Sequence, residues 1–315
     1  MATTAIVLLV AIALGCGLLV AALDPRAAGF WMAIERRLSA LRAGTVSVGG
    51  FEMPFLAAGK GEALVLIHGF GGDKDNFTRV ARHLGAHFHV VIPDLPGFGD
   101  ASRDPAASYD IASQVTRVRA FVDALGLGRI HLGGNSMGGF IAAQYAATYP
   151  DDVRSLWLVD AAGFEGAFET DVIRRYATTG ETVLLVRSRQ GFDELMSKVM
   201  HRHAWVPPAV LHALADRGIR DRPLHDRIFQ EIGAGSPTLE PIAAAIRAPT
   251  LIVWGRNDQI LNPGVAAHMQ ASIAGSEVML LAETGHLPMV ERPRQVAAAY
   301  LEFIARRAGP GRAIH

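Results

Sequence analysis

The ten residues 130–139, Ile-His-Leu-Gly-Gly-Asn-Ser-Met-Gly-Gly, limit the possible folds of this chain more than any other segment. They contain the pattern Gly-x-Ser-x-Gly, which follows an apolar run typical of a strand and precedes the helical spacing of residues 137–148. A strand that turns directly into a helix puts Ser136 in a strained conformation at the helix N-terminus, where Gly134 and Gly138 avoid collisions. The segment therefore predicts a serine nucleophile on a sharp turn between a strand and a helix.

The rest of the chain alternates short apolar runs with longer segments of helical spacing. Several of the short runs are apolar without interruption, as expected for parallel strands that are covered on both faces. Strands are predicted at residues 46–48, 63–67, 89–92, 130–132, 156–159, 250–254 and 277–281. With helices predicted between them, for example over 109–125, this order favours an α/β fold with a mostly parallel, doubly wound sheet.

The strand pattern stops between Gly163 and about residue 246. Helical spacing predominates there, over residues 171–186, 192–203 and 208–217. We therefore predict a helical cap over residues 164–246, inserted into an α/β core made of residues 45–163 and 247–315. Inserted segments of this kind commonly roof a binding site.

A serine hydroxyl is a poor nucleophile near neutral pH unless a neighbouring base accepts its proton. His286 is the predicted base, because it lies in a loop between the last predicted strand and the helix predicted over 293–308, in the chain order nucleophile, acid, base. The acid that orients the imidazole is expected at the end of an intervening strand. Asp258, after the strand at 250–254, is our choice, and Asp160, at the end of the preceding strand, is its rival.

A hydrolytic serine also needs hydrogen-bond donors for the negative charge that develops on the substrate oxygen. The backbone N–H of Met137, at the start of the helix after the serine, is one candidate. The second is expected from the loop His68-Gly69-Phe70-Gly71-Gly72, after the strand at 63–67, where we choose the N–H of Phe70. Gly69 lets the backbone approach the substrate, and His68 is expected to support the loop rather than to transfer protons.

The N-terminal 23 residues carry no charged side chain and are almost entirely apolar from Ala5 onward. A helix of about 20 such residues, at about 1.5 Å each, matches the hydrocarbon layer of roughly 30 Å, so we predict a transmembrane anchor over residues 1–23. A cleaved signal peptide is the alternative, because Val20 and Ala22 are small enough for a signal peptidase. Against it, no Lys or Arg precedes the run, which exceeds the usual length of about 7 to 15 residues.

An amphipathic helix is predicted next, over residues 24–44. Its apolar stripe consists of Phe30, Trp31, Ile34, Leu38 and Leu41. This helix is expected either at the membrane interface or packed on the globular part of the chain. Its arginines are Arg26, Arg36, Arg37 and Arg42. By the positive-inside rule they place the catalytic domain on the cytoplasmic side of the membrane. The preference of the whole chain for Arg over Lys is typical of a GC-rich bacterial genome, so the membrane is expected to be a bacterial inner membrane.

Charge and cysteine content exclude several classes of function. Lys and Arg together number 30, as do Asp and Glu, so nothing favours binding to nucleic acid. The single cysteine, Cys16, excludes an intrachain disulfide and a cysteine-based metal cluster. We expect no metal and no cofactor, and the sequence does not indicate an oligomeric state.

Four motifs together resemble those of the α/β-hydrolase superfamily. They are His68-Gly69-Phe70-Gly71-Gly72, Asp94-Leu95-Pro96-Gly97-Phe98-Gly99, Gly134-Asn135-Ser136-Met137-Gly138-Gly139 and Gly285-His286. The resemblance covers about residues 46–308, and cap segments near 192–196, 206–208 and 229–232 are similar to the membrane-anchored monoacylglycerol-lipase branch. It implies that acylglycerols or related lipid esters are the substrates and that Phe70 and Met137 form the oxyanion hole.

Alternative functions remain open on the same motifs. The serine turn and Trp254-Gly255-Arg256-Asn257-Asp258 also resemble bacterial hydrolases that cleave carbon–carbon bonds in ring-fission products, although those enzymes lack a membrane span. Dehalogenases and epoxide hydrolases are disfavoured because they generally carry Asp where this chain has Ser136. A ligand-binding protein without turnover and an acyltransferase with the same triad are the remaining alternatives.

Overall fold

A computed structural model describes residues 22–308, which contain a single eight-stranded sheet. The strands are β1 (Arg42–Val48), β2 (Phe51–Ala58), β3 (Ala63–Ile67), β4 (His89–Pro93), β5 (Ile130–Ser136), β6 (Val153–Ala161), β7 (Thr250–Gly255) and β8 (Glu277–Leu281). Their order in the sheet is β1-β2-β4-β3-β5-β6-β7-β8. The pairs from β4 through β8 are parallel, whereas β2 pairs antiparallel with β1 and β4. The predicted mostly parallel sheet is confirmed.

Helices cover both faces of this sheet. They are α1 (Ala28–Leu38), α2 (Thr78–Leu84), α3 (Ile111–Ala124), α4 (Met137–Thr148), α5 (Asp171–Thr179), α6 (Arg189–Val199), α7 (Pro208–Gly235), α8 (Val265–Ser272), α9 (Pro288–Glu291) and α10 (Pro293–Ala308). Alternate residues of β3 enter different cores: Val65 shares one with α3 and α4, and Leu66 shares the other with α2 and α10. Burial on both faces explains why β3 is apolar throughout.

The hairpin of β1 and β2 was predicted only in part. The sequence predicts a strand at 46–48 and none at 51–58, whereas β1 begins at Arg42 and β2 pairs with it along its length. Most of β1 is exposed or half-buried, so it lacks an apolar run. The turn between the strands is Gly49-Gly50, both with positive φ, which is a hairpin signal.

The helix predicted over 24–44 is shorter than expected. It ends at Leu38, and the prediction is wrong for 42–44, because these residues pair with 55–57 in the sheet. Helix α1 packs on the globular part, one of the two predicted alternatives: Arg36 Nε donates to Asp75 Oδ1 at 2.7 Å, and Arg79 Nε donates to Glu35 Oε1 at 2.6 Å.

The predicted membrane anchor over 1–23 lies outside the described residues except for its last two, Ala22 and Leu23. Within residues 22–308 no helix combines the length and the apolar character that crossing a bilayer requires.

The segment 164–246, which we call the cap, joins β6 to β7 and contains α5, α6 and α7. Helix α7 runs to Gly235, well beyond the predicted end at 217, although Gly218 and Pro223 weaken a helix. Tertiary packing maintains its second half, since Ile228 is fully buried in the core and Glu231 accepts a hydrogen bond from the backbone of Tyr109. Helix α7 therefore fixes the cap on the sheet domain.

Candidate active site

Ser136 ends strand β5, and helix α4 begins at the next residue. Its φ of 56° and ψ of −122° are unusual for a residue with a side chain, as the predicted sharp turn requires. A Cβ on Gly134 would lie 2.1 Å from the backbone oxygen of Gly138, and a Cβ on Gly138 would lie 2.2 Å from the backbone oxygen of Ile67. Both glycines are therefore needed for the strand and the helix to approach at this turn.

His286 and Asp258 form a buried hydrogen bond, with 2.7 Å between Nδ1 and Oδ2. Asp258 Oδ2 also accepts from Trp254 Nε1 at 3.2 Å, and Oδ1 accepts from the N–H groups of Ile260 and Leu261 at 2.8 and 3.1 Å. The carboxylate accepts all of these hydrogen bonds, including the one from the imidazole. The proton of the neutral imidazole is therefore on Nδ1. The other ring nitrogen, Nε2, is left to accept a proton.

Ser136 and His286 line the same cavity, of about 240 Å³, together with Phe70. Within residues 22–308 no hydrogen bond joins the serine hydroxyl to Nε2 of the imidazole. Such bonds are often long in unliganded enzymes and tighten only with substrate. The structure thus brings the predicted nucleophile and base to one cavity and leaves their hydrogen bond to be formed.

The loop after β3 packs directly against the serine turn. A Cβ on Gly69 would lie 3.1 Å from the Cβ of Ser136, so only a glycine allows this spacing without a shift. The next residue, Phe70, lines the cavity, and its ring contacts those of Phe98 and Phe229. These positions are compatible with the predicted oxyanion donors, the N–H groups of Phe70 and of Met137 at the N-terminus of α4.

His68 has the contacts of a supporting residue. It is fully buried, its Nδ1–H donates to the backbone oxygen of Gly69 at 2.8 Å, and its Nε2 accepts from the N–H of Leu95 at 3.0 Å. Burial lowers the pKa of His68, so the ring is neutral. With both nitrogens engaged, this histidine fixes the loop and has no nitrogen free for substrate.

Asp160, the rival for the acid, is close to the site but does not orient the imidazole. Its Oδ1 accepts from the N–H of Gly255 at 3.0 Å, and Nδ1 of His286 donates to Asp258. The imidazole is therefore paired with the side chain from the loop after β7, and the role of Asp258 as the catalytic acid stays a prediction.

Three contacts that sequence reasoning missed hold the histidine loop in place. Asn135 Nδ2 donates to the backbone oxygens of Val159 and His286, both at 3.1 Å. The N–H of His286 donates to the oxygen of Val199 in the cap at 2.8 Å. Glu291 accepts from the N–H of Gly285 at 2.9 Å. Of these contacts, the sequence could have indicated only that of Asn135, which lies beside the predicted nucleophile. A hydrogen bond between backbone atoms of the histidine loop and the cap leaves no pattern in the sequence.

The cavity is lined by both apolar and charged side chains. The cap supplies many of the apolar ones, including Val186, Phe192, Leu195, Met196, Leu211 and Leu214. Among the charged ones, Arg217 of α7 donates to Asp73 Oδ2 at 2.7 Å and to Asp100 Oδ1 at 2.9 Å. Burial, with the charge of Asp75, raises the pKa of Asp73 to about 7. These ion pairs join the cap to the sheet domain.

Comparisons with known proteins agree with this architecture. A family model described as alpha/beta hydrolase fold matches residues 62–293. Lipase 1 of Psychrobacter immobilis is 41% identical over 245 residues, 77% of each chain. Monoacylglycerol lipase ABHD6 of Homo sapiens is 32% identical over 77% of this chain and 75% of its own. A solved bacterial membrane phospholipase A is 37% identical, with a TM-score of 0.88 over 98% of both chains.

Proposed function

We propose that this chain, which belongs to the α/β-hydrolase fold family and is a carboxylic ester hydrolase, cleaves lipid esters. The proposed substrates are monoacylglycerols foremost, and the proposed catalytic residues are Ser136, His286 and Asp258. The observation that carries this proposal is the buried hydrogen bond of His286 to Asp258 beside an apolar cavity that Ser136 also lines. It supplies an oriented base, a nucleophile and space for an acyl chain.

The proposed reaction is a two-step acyl transfer. Ser136 Oγ attacks the ester carbonyl while Nε2 of His286 takes its proton, and the N–H groups of Phe70 and Met137 donate to the oxyanion. The tetrahedral intermediate expels the alcohol, which receives the proton from His286, and leaves an acyl-serine. Water then attacks this ester while His286 takes its proton; the acyl–serine bond breaks, the fatty acid is released, and Ser136 Oγ receives the proton from His286.

The lining of the cavity supports a lipid ester over an anionic substrate. Cap side chains such as Phe192 and Met196 offer apolar contact to an acyl chain. Among the cationic side chains at this cavity, Arg217 pairs with Asp73 and Asp100, and Arg79 pairs with Glu35. Their charges are compensated within the protein, which disfavours the carboxylate substrates of carbon–carbon bond hydrolases.

Membrane association is part of the proposal. Residues 1–23 are the proposed anchor, with the catalytic domain on the cytoplasmic side of a bacterial inner membrane. Exposed apolar side chains lie near the cavity: Trp205 of the cap is 68% exposed and contacts Trp31 of α1, while Met32 of α1 lines the cavity. A lipid ester could therefore enter the cavity beside the bilayer surface.

A substrate panel tests the proposal. Purified protein should hydrolyse monoacylglycerols and short-chain aryl esters faster than triacylglycerols, and Ser136→Ala should abolish both activities. Ser197→Ala is the matched control, because Ser197 is exposed on α6 and, within residues 22–308, its hydroxyl bonds only to the Glu194 oxygen. Turnover of a vinylogous diketone but not of esters would instead support a carbon–carbon hydrolase. Product formed only with an added acceptor alcohol would indicate an acyltransferase.

Covalent labelling tests the non-catalytic alternative. A fluorophosphonate should label Ser136 of an enzyme that has an oriented base, whereas a ligand-binding protein should remain unlabelled.

A further inference from the structure

Asp160 occupies an irregular position in strand β6. Along the parallel ladder Asn135 pairs with Val159 and Ser136 pairs with Ala161, so Asp160 is an extra residue without a partner on β5. Its φ is 43°, in the left-handed region that residues with side chains seldom adopt. Bulges of this kind redirect a side chain, and they are frequent beside active sites.

The bulge directs Asp160 toward the catalytic acid and base. One side-chain oxygen of Asp160, one of Asp258 and one ring nitrogen of His286 all lie within 4.8 Å of one another, and all three side chains are buried. Asp160 Oδ1 accepts from the Gly255 N–H, but Oδ2 has no hydrogen-bond donor among the described residues. The titratable groups that face it are Asp258, His286 and, farther off, Glu291.

Two adjacent buried carboxyl groups do not both carry a charge. The negative charge is better stabilised on Asp258, because its carboxylate accepts hydrogen bonds from Trp254, Ile260, Leu261 and the imidazole. Asp160 has one backbone donor. Burial, reinforced by the charge of Asp258, raises the pKa of Asp160 well above its ordinary value. An oxygen that lacks a donor is satisfied when it carries the proton itself.

We propose that Asp160 is a positioning residue of the catalytic triad, a neutral carboxylic acid whose Oδ2–H donates a hydrogen bond to the Asp258 carboxylate. This inference rests on the proposed function, because it assigns a second acid to the same site. The added donor holds the carboxylate in line with Nδ1 of His286. It also draws negative charge away from Asp258 and so limits how strongly the imidazolium is stabilised at rest.

Two substitutions at residue 160 separate this role from simple packing. Asp160→Ala removes the donor, and we expect kcat to fall about 10-fold to 100-fold, as for other hydrogen bonds to charged groups. KM should change little, because Asp160 is not among the residues that line the cavity. The acidic limb of the kcat/KM profile should move to higher pH, because Asp258 without its donor stabilises the imidazolium more strongly.

Asp160→Asn is the conservative variant. Its amide accepts from the Gly255 N–H and donates to Asp258, so it should restore most of the rate lost in Asp160→Ala and return the acidic limb toward its wild-type position. Equal losses in both variants, with an unshifted pH profile, would show that Asp160 has only a structural role and would overturn the proposal.

Infrared difference spectroscopy gives a readout that needs neither turnover nor a stable Ala variant. At about pH 8, where Asp73 with its pKa of about 7 is mainly ionised, wild type minus Asp160→Asn should show the carbonyl band of a neutral carboxylic acid. A carboxylate band in its place would overturn the proposal. Because this band is independent of ester hydrolysis, absence of turnover in the wild type would count against the proposed function alone.

Discussion

His286 donates its Nδ1–H to Oδ2 of Asp258 across 2.7 Å, and the two residues are separated by 28 positions in the chain. Asp258 follows β7 and His286 follows β8, and because these strands are parallel neighbours, both loops emerge at the same edge of the sheet. Strand β5 ends at that edge with Ser136. The proposed triad is thus a consequence of sheet topology, which assembles three distant residues at the carboxyl ends of their strands.

Replacing Asp258 by Asn should lower kcat about 10⁴-fold, because an amide Nδ2 facing Nδ1 favours the wrong imidazole tautomer. Steady-state hydrolysis of an aryl ester measures this loss. Asp123→Asn is the matched control, since Asp123 is exposed on α3 and, in the part of the chain that the structure describes, its side chain pairs only with Arg119. A variant within about 10-fold of wild type would show that Asp258 does not orient the base.

Gly134→Ala should unfold or strongly destabilise the protein, by about 3 kcal/mol or more, because its Cβ would lie 2.1 Å from the backbone oxygen of Gly138. Thermal unfolding followed by circular dichroism measures this effect. Gly233→Ala serves as control, since it lies in α7 with open space around its Cα and should not lower the melting temperature. Equal melting temperatures for the two variants would contradict the close approach at the turn.

Asp73, which pairs with Arg217 of the cap, should make the stability of the protein depend on pH. Its pKa is raised from 3.8 to about 7, mainly by burial, so the folded state binds a proton more tightly than the unfolded chain does. The contribution of Asp73 to stability is therefore greatest at low pH and declines as the pH rises from about 4 to about 7. Urea unfolding of wild type and Asp73→Asn measures this effect. Across that range the free energy of unfolding of the wild type should fall progressively relative to that of the variant, and above it the difference should stay constant. A difference that does not vary with pH would contradict the raised pKa.

Removal of residues 1–23 should release ester hydrolase activity from the membrane fraction while turnover of a soluble aryl ester persists. Fractionation of cells that express the full and shortened chains measures this, and the inactive Ser136→Ala form of the full chain controls for overexpression. Retention of the shortened chain in the membrane fraction would contradict the assignment of residues 1–23 as the anchor. It would indicate attachment through another surface, such as that around the exposed Trp205.

The sequence predicted the parts of the fold and site that depend on local patterns. Strands β3 to β8 were placed because each contains a short, mainly apolar run. Ser136 was placed because the strand, the glycines and the start of the helix occur together within ten residues. Chain order then selected Asp258 and His286, which the structure brings into hydrogen bond. Strand β2 was missed because Glu52 and Pro54 interrupt its apolar residues, and a proline disfavours a strand prediction.

Features that depend on tertiary contacts could not be predicted in this way. Helix α7 continues past Gly218 and Pro223 because the core buries Ile228, a fact that no local propensity records. The hydrogen bond from the His286 N–H to the Val199 oxygen joins a loop to the cap through backbone atoms, which leave no side-chain pattern. The bulge at Asp160 is a register shift between strands, so it becomes visible only when the sheet is assembled.

Trapping of the covalent intermediate tests the central claim most directly. Wild-type protein and the Ser197→Ala control should each take up one fluorophosphonate per chain, located on Ser136 by peptide mass spectrometry, with loss of ester hydrolysis in the same proportion. Ser136→Ala should take up none and hydrolyse nothing above background. Label on another residue, or undiminished hydrolysis by Ser136→Ala, would contradict the assignment of Ser136 as the nucleophile.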